Sequence, residues 1–126
     1  MLIKPGVELV SERPGDGPPV KRHKHYQVSL RMWLDGGQPV PWRDSRETQP
    51  LEKDDGTLIT DVRVDRVSLI AGLFKGIQGM RVGGTRKLRI APHLAYGERG
   101  VPGTIPPNAR LIVEVAVLRE RPELNY

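Results

Sequence analysis

Residues 69–80, LIAGLFKGIQGM, carry an apolar stripe at helical spacing with three glycines set into it. Leu69, Ile70, Leu73, Phe74, Ile77 and Met80 recur so as to share one helix face. Gly72, Gly76 and Gly79 each cost such a helix about 1 kcal/mol relative to alanine. A helix that keeps them must pack closely on something. Ser68 is the expected N-cap, because its hydroxyl can accept from the first free backbone N–H groups, and Gly83-Gly84 the expected end.

Outside this stretch the apolar period is two. In YQVSLRMWL (26–34), Val28, Leu30, Met32 and Leu34 share one face while Gln27, Ser29, Arg31 and Trp33 share the other. TLITDVRVDRV, TRKLRIA and RLIVEVAVL alternate in the same way, and VELVSER reads as an opening strand. Pro14-Gly15-Asp16-Gly17, Asp35-Gly36-Gly37 and Asp54-Asp55-Gly56 read as turns. The segment QPVPWRDSRETQPLEK has three prolines and no period, so it reads as a long loop or irregular edge strand. The expected class is α+β: a twisted antiparallel β-sheet wrapped around one short α-helix.

The 126 residues suit a single domain over 1–126. The 14 glycines and 12 prolines favour turns and short strands over a helical bundle. The sequence has no cysteine, which excludes disulfides, thiolate metal sites and thiol catalysis. No leader or run of about 20 apolar residues is read, so a cytoplasmic location and no membrane association are expected. The net charge of +5 comes from basic residues interleaved with acids, a pattern read as solvated surface. Arg86, Lys87 and Arg89 lack interleaved aromatics, which argues against a nucleic-acid surface. His23 and His25, two apart, would face the same way on a strand, but no third ligand is nearby and no metal or cofactor is expected. Asp61 and Asp65 read as solvent-side strand residues, and His93 as an exposed structural residue.

One stretch remains unexplained by packing. LAYGERGVPGTIPPNARLIVEV (94–115) places a lone tyrosine, Tyr96, in a stiff glycine- and proline-rich loop directly before a strand. Ile70-Ala71-Gly72-Leu73, Gly76, Met80, Gly83, Pro92, Ala95-Tyr96-Gly97, Gly100, Ile105-Pro106-Pro107, Leu111 and Glu114-Val115 together resemble the FKBP-type prolyl isomerases. The resemblance is strongest over 68–118, while 38–67 diverges. It implies a sheet wrapped around a helix with a shallow apolar pocket between them. It further implies that Tyr96, Ile70 and Ile105 act on the substrate: the Tyr96 hydroxyl and the Ile70 N–H donate to two carbonyls, and Ile105 with Pro106-Pro107 forms the rim. Leu30, Val40, Leu51, Leu73 and Val113 would line the pocket.

The same resemblance marks departures. The family has a tryptophan at the position of Leu73, aromatics where Leu30, Leu51 and Val113 stand, and an aspartate near Pro41. Trp42 is a candidate substitute ring. Aromatic contacts contribute about 0.5–1.5 kcal/mol each beyond their area, so weak macrolide binding and reduced turnover are expected. The expected function is cis–trans isomerisation of Xaa-Pro bonds in peptides or folding proteins, by a monomer with a chaperone-like role. The alternative is a non-catalytic binding module of the same fold for a protein segment or small molecule.

Overall fold

The computed structural model describes residues 2–40, 51–52, 57–66 and 69–121. Among these the strands are β1 (Leu2–Lys4), β2 (Val7–Arg13), β3 (His25–Leu34), β4 (Pro39–Val40), β5 (Leu51–Glu52), β6 (Leu58–Arg63), β7 (Thr85–Ile90) and β8 (Leu111–Arg121). Helix α1 (Ala71–Ile77) lies between β6 and β7 in the chain, and a 3-10 turn (Pro92–Leu94) follows β7. The strands form one antiparallel sheet in the order β1-β2-β7-β8-β3-β6-β5, with β4 paired to β3. This is the expected α+β class, and β1 is an edge strand that the sequence reading did not anticipate.

The period-two pattern sets the register. On β3 Tyr26, Val28, Leu30 and Met32 are buried, and on β8 Leu111, Val113, Val115 and Val117 are buried. Met32 stands opposite Val113 on one side and Val40 on the other, and Leu30 stands between Val115 and Leu58. One face of the sheet is thereby apolar across four strands, and each fully buried aliphatic side chain contributes about 1.5–3 kcal/mol. A one-residue slip would turn this whole set to solvent, so the pattern fixes the pairing.

The glycines of α1 explain how the helix lies on that face. A Cβ at Gly72 would collide with the Ile90 side chain, and one at Gly76 with Leu88. The two glycines are one turn apart and face two β7 residues that are themselves fully buried. The helix backbone therefore rests directly on β7, the contact that the helix-breaking residues required.

The helix is shorter than its apolar stripe. It starts at Ala71 with Ile70 as N-cap and no side-chain cap, and Ser68, the expected cap, lies outside the described residues. It stops at Ile77, not at Gly83-Gly84. Gly79 is not interior but follows the end, at φ 86°, a conformation that favours glycine. Met80 continues the stripe only in burial: it is buried in the core, yet its N–H bonds to Ile77 O in a turn. Arg86 closes the helix. Its Nη1 donates to the Gly76 and Gln78 carbonyls, each at 2.8 Å, and its Nε meets Glu12 at 2.6 Å. Two carbonyls at the C-terminal end of α1 thus find a cation from the sheet.

Tyr26 is a core residue whose hydroxyl accepts from the Lys21 N–H at 2.8 Å. His23 and His25 do not share a strand face, because β3 begins at His25 and His23 sits in the preceding turn at φ 68°. The opening turn is tied to the segment after α1 by Gly17 N–H to Val82 O at 2.9 Å and Val82 N–H to Pro18 O at 3.0 Å. No helix among the described residues is long and apolar enough to cross a membrane.

Candidate functional site

Tyr96 is positioned from both sides by local backbone bonds. Pro92 starts the 3-10 turn, where its missing N–H costs nothing. Its carbonyl then accepts from Ala95 N–H at 3.0 Å and Gly97 N–H at 2.8 Å. On the far side Asn108 N–H reaches Gly97 O at 2.9 Å and closes the neck of the loop. Within the loop Val101 and Ile105 exchange two backbone bonds of 2.8 Å, which turn Ile105 inward to 5% exposure. Pro106 and Pro107, expected at the rim, are exposed.

The ring of Tyr96 is half-buried against the core, together with Ile70 and Val101. Burial pushes the phenol above its ordinary value of 10.0, because the phenolate would lose hydration. Through neutral pH the group is therefore a neutral O–H donor. Among the described residues that hydroxyl has no hydrogen-bond partner.

The second free donor lies at the start of α1. Ile70 has extended backbone angles, φ −60° and ψ 153°, and its carbonyl takes the first helical bond, from Phe74 N–H at 2.9 Å. Its own N–H has no partner among the described residues, as befits the first turn of a helix. A neutral phenol and an unpaired amide thus stand beside one apolar cluster.

The other expected pocket residues fall in distinct places. Leu30, Val40, Leu73, Ile105 and Val113 join Ile70 and Tyr96 in a single apolar cluster. Leu30, Leu73 and Val113 are at most 1% exposed, as core side chains are, while Ile70 and Tyr96 keep some exposed surface. The backbone of Leu51 pairs with Ile59, in the row of Ser29, whereas Glu52 stands opposite Leu58 in the row of Leu30. Trp42 lies outside the described residues. The sequence reading missed Val101, which packs against the cluster and anchors Ile105; its one signal was the turn pattern Val101-Pro102-Gly103. It also set Lys87 apart from aromatics, yet the Trp33 ring lies 5.1 Å from Lys87 and 4.9 Å from Arg31. Register explains this: Trp33 and Arg31 alternate with the core on β3 and reach β7 across one strand.

Among the described residues no three His, Cys, Asp or Glu side chains are grouped as metal ligands. The Tyr96 hydroxyl and the Ile70 N–H offer hydrogen bonds beside the apolar core.

Comparison with known proteins gives concordant results. Residues 25–118 match the family described as FKBP-type peptidyl-prolyl cis-trans isomerase. The peptidyl-prolyl cis-trans isomerase FPR2 of Saccharomyces cerevisiae is 54% identical over 110 residues, covering 87% of this chain and 69% of that protein. FK506-binding protein 1A of Emericella nidulans is 38% identical over 119 residues, covering 90% of this chain and 97% of that protein. Among solved structures, the N-terminal domain of FKBP42 from Arabidopsis thaliana has the same fold, with TM-score 0.72 at 20% identity over 96% of this chain and 91% of that one. FkpA from Escherichia coli superposes with TM-score 0.68 at 31% identity, over 92% of this chain and 47% of that one.

Proposed function

This chain belongs to the FKBP-type peptidyl-prolyl cis-trans isomerase family, and we propose that it rotates Xaa-Pro bonds at the Tyr96 site by stabilising the twisted amide. Amide resonance sets a barrier of about 18–20 kcal/mol, and uncatalysed exchange before proline takes about tens to hundreds of seconds. Twisting the C–N bond removes the resonance and its charge separation. A dry apolar surface therefore favours the twisted form over the planar one. No bond is made or broken, so no nucleophile, metal or proton shuttle is needed, only tighter binding of the twisted form.

The observation that carries this reading is the pair of unsatisfied donors, the Tyr96 hydroxyl and the Ile70 N–H, beside the apolar cluster. In this reading they hold two substrate carbonyls while the pyrrolidine ring lies at Ile105, over the buried Leu73 and Val113. Each bond contributes about 0.5–1.5 kcal/mol. Aliphatic side chains give the ring no flat stacking face, which favours slow turnover and weak macrolide binding.

NMR exchange on a Leu-Pro peptide tests the proposal. Wild type is expected to accelerate exchange, Tyr96→Phe to lower kcat/KM about 3- to 10-fold, and Tyr96→Ala to lower it further. A wild-type rate equal to that in buffer ends the catalytic reading. The second reading, a non-catalytic binding module, is favoured by the near-complete burial of Leu30, Leu73 and Val113. Peptide-induced chemical-shift changes without accelerated exchange are its signature.

A further inference from the structure

The run Lys21-Arg22-His23-Lys24-His25 reads, as sequence, like a solvated loop. The topology gives it neighbours of the same sign. β3 starts at His25, where the ends of both flanking strands meet it: Arg63 of β6 and Arg121 of β8 stand opposite. His23 N–H to Val64 O at 2.9 Å and Val64 N–H to Lys24 O at 3.1 Å tie the turn to the residue after β6.

Among the described residues, three carboxylates at this end each meet a cation. Lys24 meets Glu120 at 3.2 Å, Arg63 meets Asp65 at 3.4 Å and Arg121 meets Asp61 at 3.4 Å. Four exposed cations, Lys21, Arg22, Arg66 and Arg119, have no carboxylate partner among the described residues. Neutral groups hold three of them. Arg22 donates to Gln78 at 3.1 Å and lies 5.5 Å over the Phe74 ring, Arg119 donates to Gln27 at 3.2 Å, and Arg66 donates to Leu69 O at 2.8 Å. Four unmatched positive charges thus gather at one end of a chain whose whole formal charge is +5.

This end reaches α1 at two points, Arg66 beside its start and Arg22 along its side. The carbonyl held by Arg66 belongs to Leu69, the residue before the free Ile70 N–H, and Arg22 covers Phe74, the residue after Leu73. We propose that the cationic end is an exosite for acidic residues flanking the proline, so that Xaa-Pro bonds within acidic protein segments are the preferred substrates. The inference rests on the isomerase reading above. Preformed guanidinium groups suit individual carboxylates. A nucleic-acid strand fits less well: Phe74 is covered by Arg22, Tyr26 is buried, and three carboxylates interrupt the phosphate track.

The test compares two peptides with the same Leu-Pro bond, one flanked by glutamates and one by glutamines, using exchange NMR on the whole chain. At about 0.02 M salt the glutamate peptide is expected to show about tenfold higher kcat/KM, carried by KM. At about 0.5 M salt the advantage falls to about twofold. The double variant Lys21→Gln/Arg22→Gln and the single variant Arg66→Gln should each lower the ratio between the two peptides, a readout that cancels general losses of activity. A ratio near one in wild type, or one unmoved by salt and substitution, overturns the exosite while the isomerase reading stands. If neither peptide exchanges faster than in buffer, both readings fall. If a single-stranded oligonucleotide displaces the glutamate peptide with a steeper salt dependence, the surface is a nucleic-acid site and the proposal is refuted.

Discussion

Replacing Gly72 by alanine tests the packing that positions the Ile70 donor. A new Cβ there runs into Cγ2 of Ile90, a methyl attached to a β-branched carbon that moves only if χ1 rotates. Ile90 is fully buried between β2 and β8, so rotation has no free space to use. Overpacking of this kind costs about 1–3 kcal/mol. With no room to rotate, the upper part of that range, about 2–3 kcal/mol, applies; alanine returns about 1 kcal/mol through its better helix propensity, so a net loss of about 1–2 kcal/mol is expected. In a chain this size that lowers the melting temperature by about 3–8 °C. Gly76→Ala should cost less, because the atom it meets is the end of the more flexible Leu88 side chain. Urea unfolding measures both effects. A second substitution at Ile90 identifies the cause. Ile90→Val keeps both branches at the β-carbon, including the Cγ2 methyl, and should leave most of the Gly72→Ala penalty in place. Ile90→Ala removes them and should abolish that penalty, although it costs stability by itself. A Gly72→Ala protein as stable as wild type, or an equal penalty in the Ile90→Ala background, would refute the contact.

Arg86→Met should destabilise by about 2–4 kcal/mol in urea, because it leaves Gly76 O and Gln78 O without their donor and strands Glu12. Glu12→Gln should cost about 1 kcal/mol or less, since the Arg86 bonds to the helix remain. Tyr96 sets an alkaline limit. Its folded pKa lies above the unfolded value of 10.0, so its contribution to stability is complete below pH 10 and declines as pH rises through the folded value. Tyr96→Phe should remove that part of the alkaline decline, as seen by difference in pH-dependent unfolding. Tyr26→Phe should cost about 1–2 kcal/mol, by leaving the Lys21 N–H without its acceptor.

The strands were legible because alternation reports which face is buried, and β3 and β8 bury the residues the pattern selects. The helix ends were not, because the same signal reports burial and not hydrogen bonding. Met80 keeps the stripe going after α1 has stopped. Arg86 reads as one more surface cation in TRKLRIA, and only the register that carries β7 past the helix end reveals it as a cap. The loop was legible through its glycines and prolines, which mark the turns around Tyr96. The Tyr96 hydroxyl and, at the start of α1, the Ile70 N–H were named as donors only through the family resemblance, since a missing partner has no signature in residue pattern. The cationic end was also hidden: Lys21, Arg66 and Arg119 are far apart in the chain and meet only because β6 and β8 finish beside the start of β3.

The bond from Asn108 N–H to Gly97 O makes the intervening span a closed ring seated on its own neck. Exposed positions such as Glu98, Arg99 and Pro102 can then be exchanged without tilting the phenol, whereas Gly100, pressed against Ile105 O and Pro106, cannot. In the isomerase reading proposed above, selectivity at the mouth and geometry at the donor are separable traits, and a library confined to the ring's outer positions could redirect which segments enter without rebuilding what holds them.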